Sequence, residues 1–294
     1  MHKPDRTGAR VVGITGASGY VGGLIAAEFT RGGDRVVELG RKPSAKATEY
    51  RPLALGEPLE VGIFDEIDLL IHAAYDLTVR QRAAVWARNV VGTREIAERA
   101  RLEGVRKVVL ISSMSAYEGT EQIYGQAKLA CENLVCRIGG TALRLGLVYE
   151  VGGGGMIGAL AKLVKLPLVP VLGPGAHQYV VRANQVGPAV RSLVDAWQVP
   201  GEVVSLACRD AISFRQILAS LAPPGRNPRF VDVPWKPVFG GMRLAEKVGI
   251  CLPLRADSVL GLVHSASSVT NFEAWDELGV SIVPPPSLSP SGNR

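Results

Sequence analysis

Cysteine is scarce in this sequence: four residues in 294, Cys131, Cys136, Cys208 and Cys251, with no CxxC and no paired spacing. That excludes a disulfide framework and reads as reduced, structural thiols in a reducing compartment. Long apolar runs are missing too. No window approaches the ~20 residues that a membrane span needs. The opening MHKPDRTGAR is polar, and the apolar run after it is too short for a signal region. A cytoplasmic protein with no membrane partner is therefore expected. There is no dense Lys/Arg run with interleaved aromatics, so nucleic acid is not an expected partner. The net charge of +6 implies at most a general attraction to small anions such as phosphates. No internal repeat is visible and no metal site is assigned.

What remains is ordinary globular material, 47% hydrophobic and 20% charged, with 34 glycines. The first half alternates. Val11–Thr15 reads as a strand, Gly22–Arg31 as a helix, and DRVVELG as a second strand; LAL near Leu53 reads as a short one. Ile67–Ala74 is a buried strand, and RQRAAVWARNVVGTREIAERARLEG a long amphipathic helix ending at Gly104. Lys107–Ser113 is a strand, YGQAKLACENLVCRIGG a helix ended by Gly139, and TALRLGLVYE one more strand. Near-continuous apolar strands between helices imply an α/β fold with a parallel sheet covered on both faces. After Glu150 a glycine run, a helix and a proline-broken stretch suggest a smaller C-terminal region. The expected division is 8–150, 151–284 (partly interleaved with the sheet) and a Pro/Ser-rich, disordered tail at 285–294.

The stretch VVGITGASGYVGG places Gly16, Gly19 and Gly22 where a strand turns into a helix. That is the context of a dinucleotide site. Gly16 allows the tight turn, Gly19 lets backbone approach a pyrophosphate, and Gly22 allows close helix–strand packing. The phosphates would sit at the helix N-terminus, beside Ser18, Tyr20 and Val21. The end of the second strand selects the nucleotide. An NAD site usually has a carboxylate about 20 residues after the glycines; here the position is Gly40, followed by Arg41 and Lys42, which would pair with a 2′-phosphate. NADP is favoured, with NAD as second choice; Glu38 would face the ribose if the register shifted by two.

YGQAK sets Tyr124 and Lys128 at i, i+4 on one helix face. A cation one turn away favours the phenolate, so the pair can move a proton to or from a substrate hydroxyl. ISSMSAY ends the preceding strand and supplies Ser112, Ser113 and Ser115.

The TGxxGxxG spacing, the strand-end serines and the YxxxK helix, in that order, resemble the extended branch of the short-chain dehydrogenase/reductase family, the NAD(P)-dependent epimerase/dehydratases. The resemblance implies a Rossmann-type doubly wound sheet with a smaller substrate-binding region. It implies catalytic roles for Ser113, with Ser115 second, and for Tyr124 and Lys128. DLLIHAA resembles the family strand that lines the cofactor, bringing in His72 (as a structural residue rather than a base), Ala73 and Ala74. NVVGT resembles its helix motif, with Asn89 bonding backbone. LRLGLVYE resembles its R-P-x-x-V-Y-G strand, with Arg144 in place and backbone near Leu147 reaching the nicotinamide; Ile111 joins the cofactor set, as does Lys128. WDELGV resembles its closing segment. Substrate contacts are assigned to Tyr75, Ser115, Arg182 and Arg209, with Asp76, Gly152–Gly155, His177 and Tyr179 nearby.

There are departures. Leu145 and Glu150 replace a Pro and a Gly, Arg182, Asn184 and Gln185 stand where the family has a His and two Asp, and Gly56 replaces an acidic residue near the adenine. Met114 and Ser115 after Ser113 argue against dehydration. The resemblance therefore implies an epimerase or reductase acting by hydride transfer on a nucleotide-sugar, as a homodimer. Two alternatives stay open: a reductase or dehydrogenase of a non-sugar carbonyl or hydroxyl, and a non-enzymatic NAD(P)-binding sensor or accessory subunit.

Overall fold

The computed structural model describes residues 9–43, 49–173, 175–196, 202–250 and 255–288. Its elements alternate as the apolar pattern demands: β1 (Val11–Thr15), α1 (Tyr20–Arg31), β2 (Arg35–Gly40), β3 (Glu49–Pro52), β4 (Leu69–His72), α2 (Arg82–Val85), α3 (Gly92–Leu102), β5 (Lys107–Ser113), α4 (Ile123–Arg137) and β6 (Thr141–Leu145). Then come β7 (Leu147–Tyr149), α5 (Gly155–Leu163), β8 (Leu168–Leu172), β9 (His177–Gln178), β10 (Val180–Arg182), α6 (Ala183–Ala196), β11 (Val203–Leu206), β12 (Ile212–Ser213), α7 (Phe214–Ser220), β13 (Arg229–Val233), α8 (Trp235–Lys247), α9 (Ala256–Val263) and α10 (Glu273–Glu277).

Seven strands form one sheet in the order β11-β6-β5-β4-β1-β2-β3. The pairs β1–β2, β1–β4, β2–β3 and β4–β5 are parallel. All five residues of β1 and all four of β4 are buried, as strands covered on both faces must be.

The chain separates into two compact units. One takes the chain up to Ile111 together with Ala130–Leu143 and Val186–Val203; the other takes Ser112–Leu129, Arg144–Gln185 and Val204 onward. A single boundary at 150 is therefore not where the contacts divide: 112–129 and 144–150 go with the later residues and 186–203 with the earlier ones.

Four expectations change. The third strand is Glu49–Pro52, and Leu53 lies just beyond it with its N–H on Gly40 O at 2.8 Å. The long helix at 80–104 is interrupted by a π-helical segment, Trp86–Val91. TALRLGLVYE breaks at Gly146, where the chain changes partners: Gly146 N–H bonds Leu206 O at 3.0 Å and Leu147 N–H bonds Tyr179 O at 2.7 Å. β7 then pairs in parallel with β10. In the tail, Pro286–Leu288 form a helical turn with Leu288 buried; residues 289–294 lie outside the described residues. Among the described residues no helix is long and apolar enough to cross a membrane.

Candidate functional site

The glycine turn lies wholly in the first unit. Gly16 has φ +71°, and a Cβ there would lie 2.9 Å from the Ala74 backbone. Both facts exclude an L side chain. A Cβ on Gly22 would lie 2.2 Å from Gly16 O, so α1 packs against the turn only because that hydrogen is small. Gly19 is the N-cap of α1 in extended conformation; no side chain caps the helix and no acidic residue stands in its first turn. Its leading N–H groups and dipole favour an anion. Ser18 and Gly19 are exposed, and Tyr20 and Val21 half-buried.

His72 is 1% exposed, and its ring joins three elements. Nδ1 lies 2.7 Å from Thr15 Oγ1 and Nε2 lies 2.9 Å from Thr93 Oγ1. Thr15 Oγ1 also accepts the Ala74 N–H at 3.1 Å. The Thr93 hydroxyl also takes a bond from the Cys131 thiol at 3.5 Å, so both ring nitrogens face buried hydroxyls. The ring ties the ends of β1 and β4 to α3, a structural placement. Asn89, on the π segment, accepts the Asp76 N–H at 2.7 Å and donates to Asp76 O at 3.3 Å. It thus bonds backbone, and it shapes the loop carrying Ala73, Ala74, Tyr75 and Asp76, all half-buried. Asp76 Oδ1 accepts from Thr78 Oγ1 and N–H at 2.6 and 2.8 Å. Those bonds, with Arg41 and Arg88 nearby, hold its carboxyl below the usual carboxylate range.

β2 ends at Gly40, whose carbonyl accepts from Tyr50 OH at 3.0 Å. Arg41 and Lys42 follow, exposed. Glu38 lies inside β2, 1% exposed, and its Oε1 is 4.0 Å from where a Cβ on Gly40 would stand. Gly56 sits at φ +71°, 3.4 Å from Arg88 Cα as measured from an added Cβ. Gly56 is thus a tight turn against the π-helical segment. Ile111 is buried in β5.

Ser113, Tyr124 and Lys128 all lie in the second unit. Ser113 Oγ, at the end of β5, accepts the Ser115 N–H at 3.1 Å. Met114 N–H bonds Leu145 O at 2.9 Å, fixing the turn. α4 then packs directly on it: a Cβ on Gly125 would lie 2.2 Å from Ser115 O. The glycine inside YGQAK was not singled out in the sequence; its signal is a glycine in a helix interior, where only close approach explains its cost. Lys128 is 4% exposed, with Nζ 6.0 Å from the Tyr124 ring centre. Tyr124 is half-buried. Met114, Tyr179, Ala207 and Ala266 form an apolar cluster with Tyr117, Ala211 and Val269 against it. Asp257 was missed entirely; it bonds the first two amides of α4.

Several residues assigned to the substrate region, and Leu147 of the cofactor set, are engaged with other parts of the chain. Arg182 donates from Nε to Pro284 O at 2.9 Å and from Nη2 to the same oxygen. Arg209 pairs with Asp276 at 3.3 Å and lies over Phe272. Tyr179 OH donates to Ser267 O. Leu147 N–H is taken by Tyr179 O. His177 forms part of β9 with its side chain exposed.

A parallel sheet with a glycine turn opening onto an uncapped helix defines a Rossmann-type α/β protein. More specifically, residues 12–139, somewhat under half of the chain, match the NAD dependent epimerase/dehydratase family, and the resemblance drawn from the motifs is supported over those residues. The chain is 30% identical over 131 residues to the UDP-glucose 4-epimerase of Mycolicibacterium smegmatis, covering 38% of this chain and 41% of that protein. It is 28% identical over 191 residues to the dTDP-6-deoxy-L-talose 4-dehydrogenase (NAD(P)(+)) of Kitasatospora kifunensis, covering 55% and 60%. The chain thus spans less than two thirds of either relative. Among solved structures, MoeE5 in complex with UDP-glucuronic acid and NAD superimposes with a TM-score of 0.73 over 95% of this chain and 96% of that one, at 21% identity. That likeness shows a shared fold.

Proposed function

We propose that this chain is an NADP(H)-preferring enzyme that moves hydride to and from a nucleotide-sugar, as an epimerase or reductase. The observation that carries the reading is the close packing of α4 on the Ser113–Ser115 turn through Gly125. It holds a strand-end hydroxyl, a phenol and a buried ammonium on one short stretch of chain. The Ser113 hydroxyl would donate to the substrate oxygen. Tyr124 would give or take the proton there, with the Lys128 ammonium one helical turn away.

The dinucleotide fits the residues present. The uncapped, acid-free start of α1 suits a pyrophosphate, and Arg41 and Lys42 after a strand that ends in glycine suit a 2′-phosphate. Bound, the nicotinamide supplies the hydride acceptor or donor. NAD is the second choice, on the strength of Glu38. The names of both curated relatives support a nucleotide-sugar, and a homodimer follows from the family pattern.

Two observations favour a second reading, a reductase of a non-sugar carbonyl. Arg182 and Arg209 are committed to Pro284 and Asp276, and the residue after Ser113 is a buried Met114 in an apolar cluster. Neither arginine is then the natural anchor of a diphosphate.

The test is a titration with NADPH and NADH, followed by nicotinamide fluorescence, beside Gly19→Trp, then a screen of UDP- and dTDP-sugars and apolar carbonyls with Tyr124→Phe. The expected result is tighter NADPH binding, lost in Gly19→Trp, and turnover of a nucleotide-sugar reduced roughly a hundredfold or more in Tyr124→Phe. Equal turnover in Tyr124→Phe overturns the mechanism. Turnover of apolar carbonyls alone moves the assignment to the second reading.

A further inference from the structure

Tyr124 occupies a weak place for a residue that must be held accurately. It is the second residue of α4. The first turn of a helix has N–H groups with no intrahelical acceptor, and helix ends fray. Local sequence offers no remedy. The residue before the helix is Gln122, not one of the Ser, Thr, Asp or Asn residues that cap well.

The remedy comes from more than 130 residues further along. Asp257 Oδ1 accepts the Ile123 N–H at 2.9 Å and Oδ2 accepts the Tyr124 N–H at 3.1 Å. Both carboxylate oxygens are thus spent on two consecutive amides, one of them Tyr124's own. A charged acceptor at a helix N-terminus is also favoured by the dipole.

Asp257 is itself held. It stands in the first turn of α9, where Glu246 of α8 accepts the Ala256 N–H at 3.0 Å. At the other end Gln178 Nε2 donates to Gly261 O at 3.1 Å and Leu262 O at 2.9 Å. A Cβ on Gly261 would come 2.7 Å from Gln122 Nε2, so α9 lies flush against the residue that precedes α4. The helix carrying Asp257 is therefore fixed at both ends and pressed against the start of the helix carrying Tyr124.

We propose that Asp257 is a positioning residue: its carboxylate clamps the backbone of Ile123 and Tyr124 and so sets where the Tyr124 phenol stands. The role assumes the acid/base reading of Tyr124, while the clamp itself does not. Truncating Asp257 should let the first turn of α4 fray and the phenol wander, with turnover lost but ligand affinity kept.

The experiment uses the full chain labelled with ¹³C at the tyrosine Cζ, the Tyr124 line being identified by its loss in Tyr124→Phe. Asp257→Ala should shift or broaden that line and speed amide exchange at 121–126. Asp257→Asn, which keeps one acceptor oxygen, should lie between it and the parent. With the substrate found in the screen above, Asp257→Ala should lower kcat roughly ten- to a hundredfold with KM and NADPH affinity within about twofold. An unmoved Tyr124 line and unchanged exchange at 121–126 in Asp257→Ala overturn the clamp. A rise in KM or loss of NADPH binding equal to the fall in kcat makes Asp257 structural only and overturns the positioning role. If Asp257→Ala does not fold, Asp257→Asn carries the same readouts. Should Tyr124→Phe prove as active as the parent, the acid/base reading fails, and the Tyr124 line still decides the clamp.

Discussion

A Cβ on Gly125 would stand 2.2 Å from the carbonyl oxygen of Ser115. That contact brings the strand-end serines against the first turn of the YxxxK helix. The obstacle is backbone, which cannot swing aside. Gly125→Ala gains helix propensity of about 1 kcal/mol yet should be destabilising by roughly 1–3 kcal/mol through overpacking. Urea unfolding checks the sign: a stabilised Gly125→Ala would contradict the packing.

Nε2 of the buried His72 lies 2.9 Å from the Thr93 hydroxyl. Thr93→Val keeps the shape and removes the hydroxyl partner of a buried ring nitrogen, so it should cost about 1–3 kcal/mol. Thr93→Ser should cost much less. Equal losses in the two variants, measured by denaturant titration, would show that the methyl matters and the hydroxyl does not.

Arg182 grips the carbonyl of Pro284 with two donors. Arg182→Ala should therefore lower Tm and hasten proteolysis after residue 280, while leaving the KM of a nucleotide-sugar within about twofold. A selective tenfold or larger rise in KM at unchanged Tm would return Arg182 to the substrate.

Asp76 has its folded pKa depressed, first by the Thr78 hydroxyl and also by Arg41 and Arg88. A lowered folded value means that the stabilisation is complete above the unfolded carboxylate pKa of about 3.9 and fades as pH falls through the folded value. Thr78→Ala should narrow the stability gap between pH 6 and pH 3. Parallel Tm-against-pH curves for the variant and the parent would refute this.

Cys208 is 3% exposed, and burial pushes its thiol up to about 11. At pH 8 only about a thousandth would be thiolate, the reactive form. Iodoacetamide on the native protein should leave Cys208 unlabelled while the half-buried Cys136 reacts. Equal labelling by mass spectrometry would mean that this region opens readily.

Local grammar made much of this protein legible from its residues. Runs such as VVGIT and KVVLISS bury both faces and must be central parallel strands, and β1 and β5 begin and end where those runs do. Gly16 reads as a turn residue because it opens a spaced glycine cluster between a strand and a helix, and the structure gives it a φ of +71°. His72 reads as structural through the resemblance of DLLIHAA to a family strand. Each of these depends on near neighbours in the chain, or on a period that near neighbours reveal.

What tertiary structure alone decided rests on contacts between distant residues. TALRLGLVYE has the composition of one strand; it breaks because Tyr179 O and Leu206 O arrive on either side of Gly146. Arg182 reads in the sequence as a cation for a diphosphate, and the fold sets its guanidinium on the carbonyl of Pro284, about a hundred residues later. Asp257 is one acidic residue among 27, unremarkable until the fold sets its two oxygens on the amides of Ile123 and Tyr124. A sequence states which groups a chain can offer; which offers meet depends on where the folded backbone carries them.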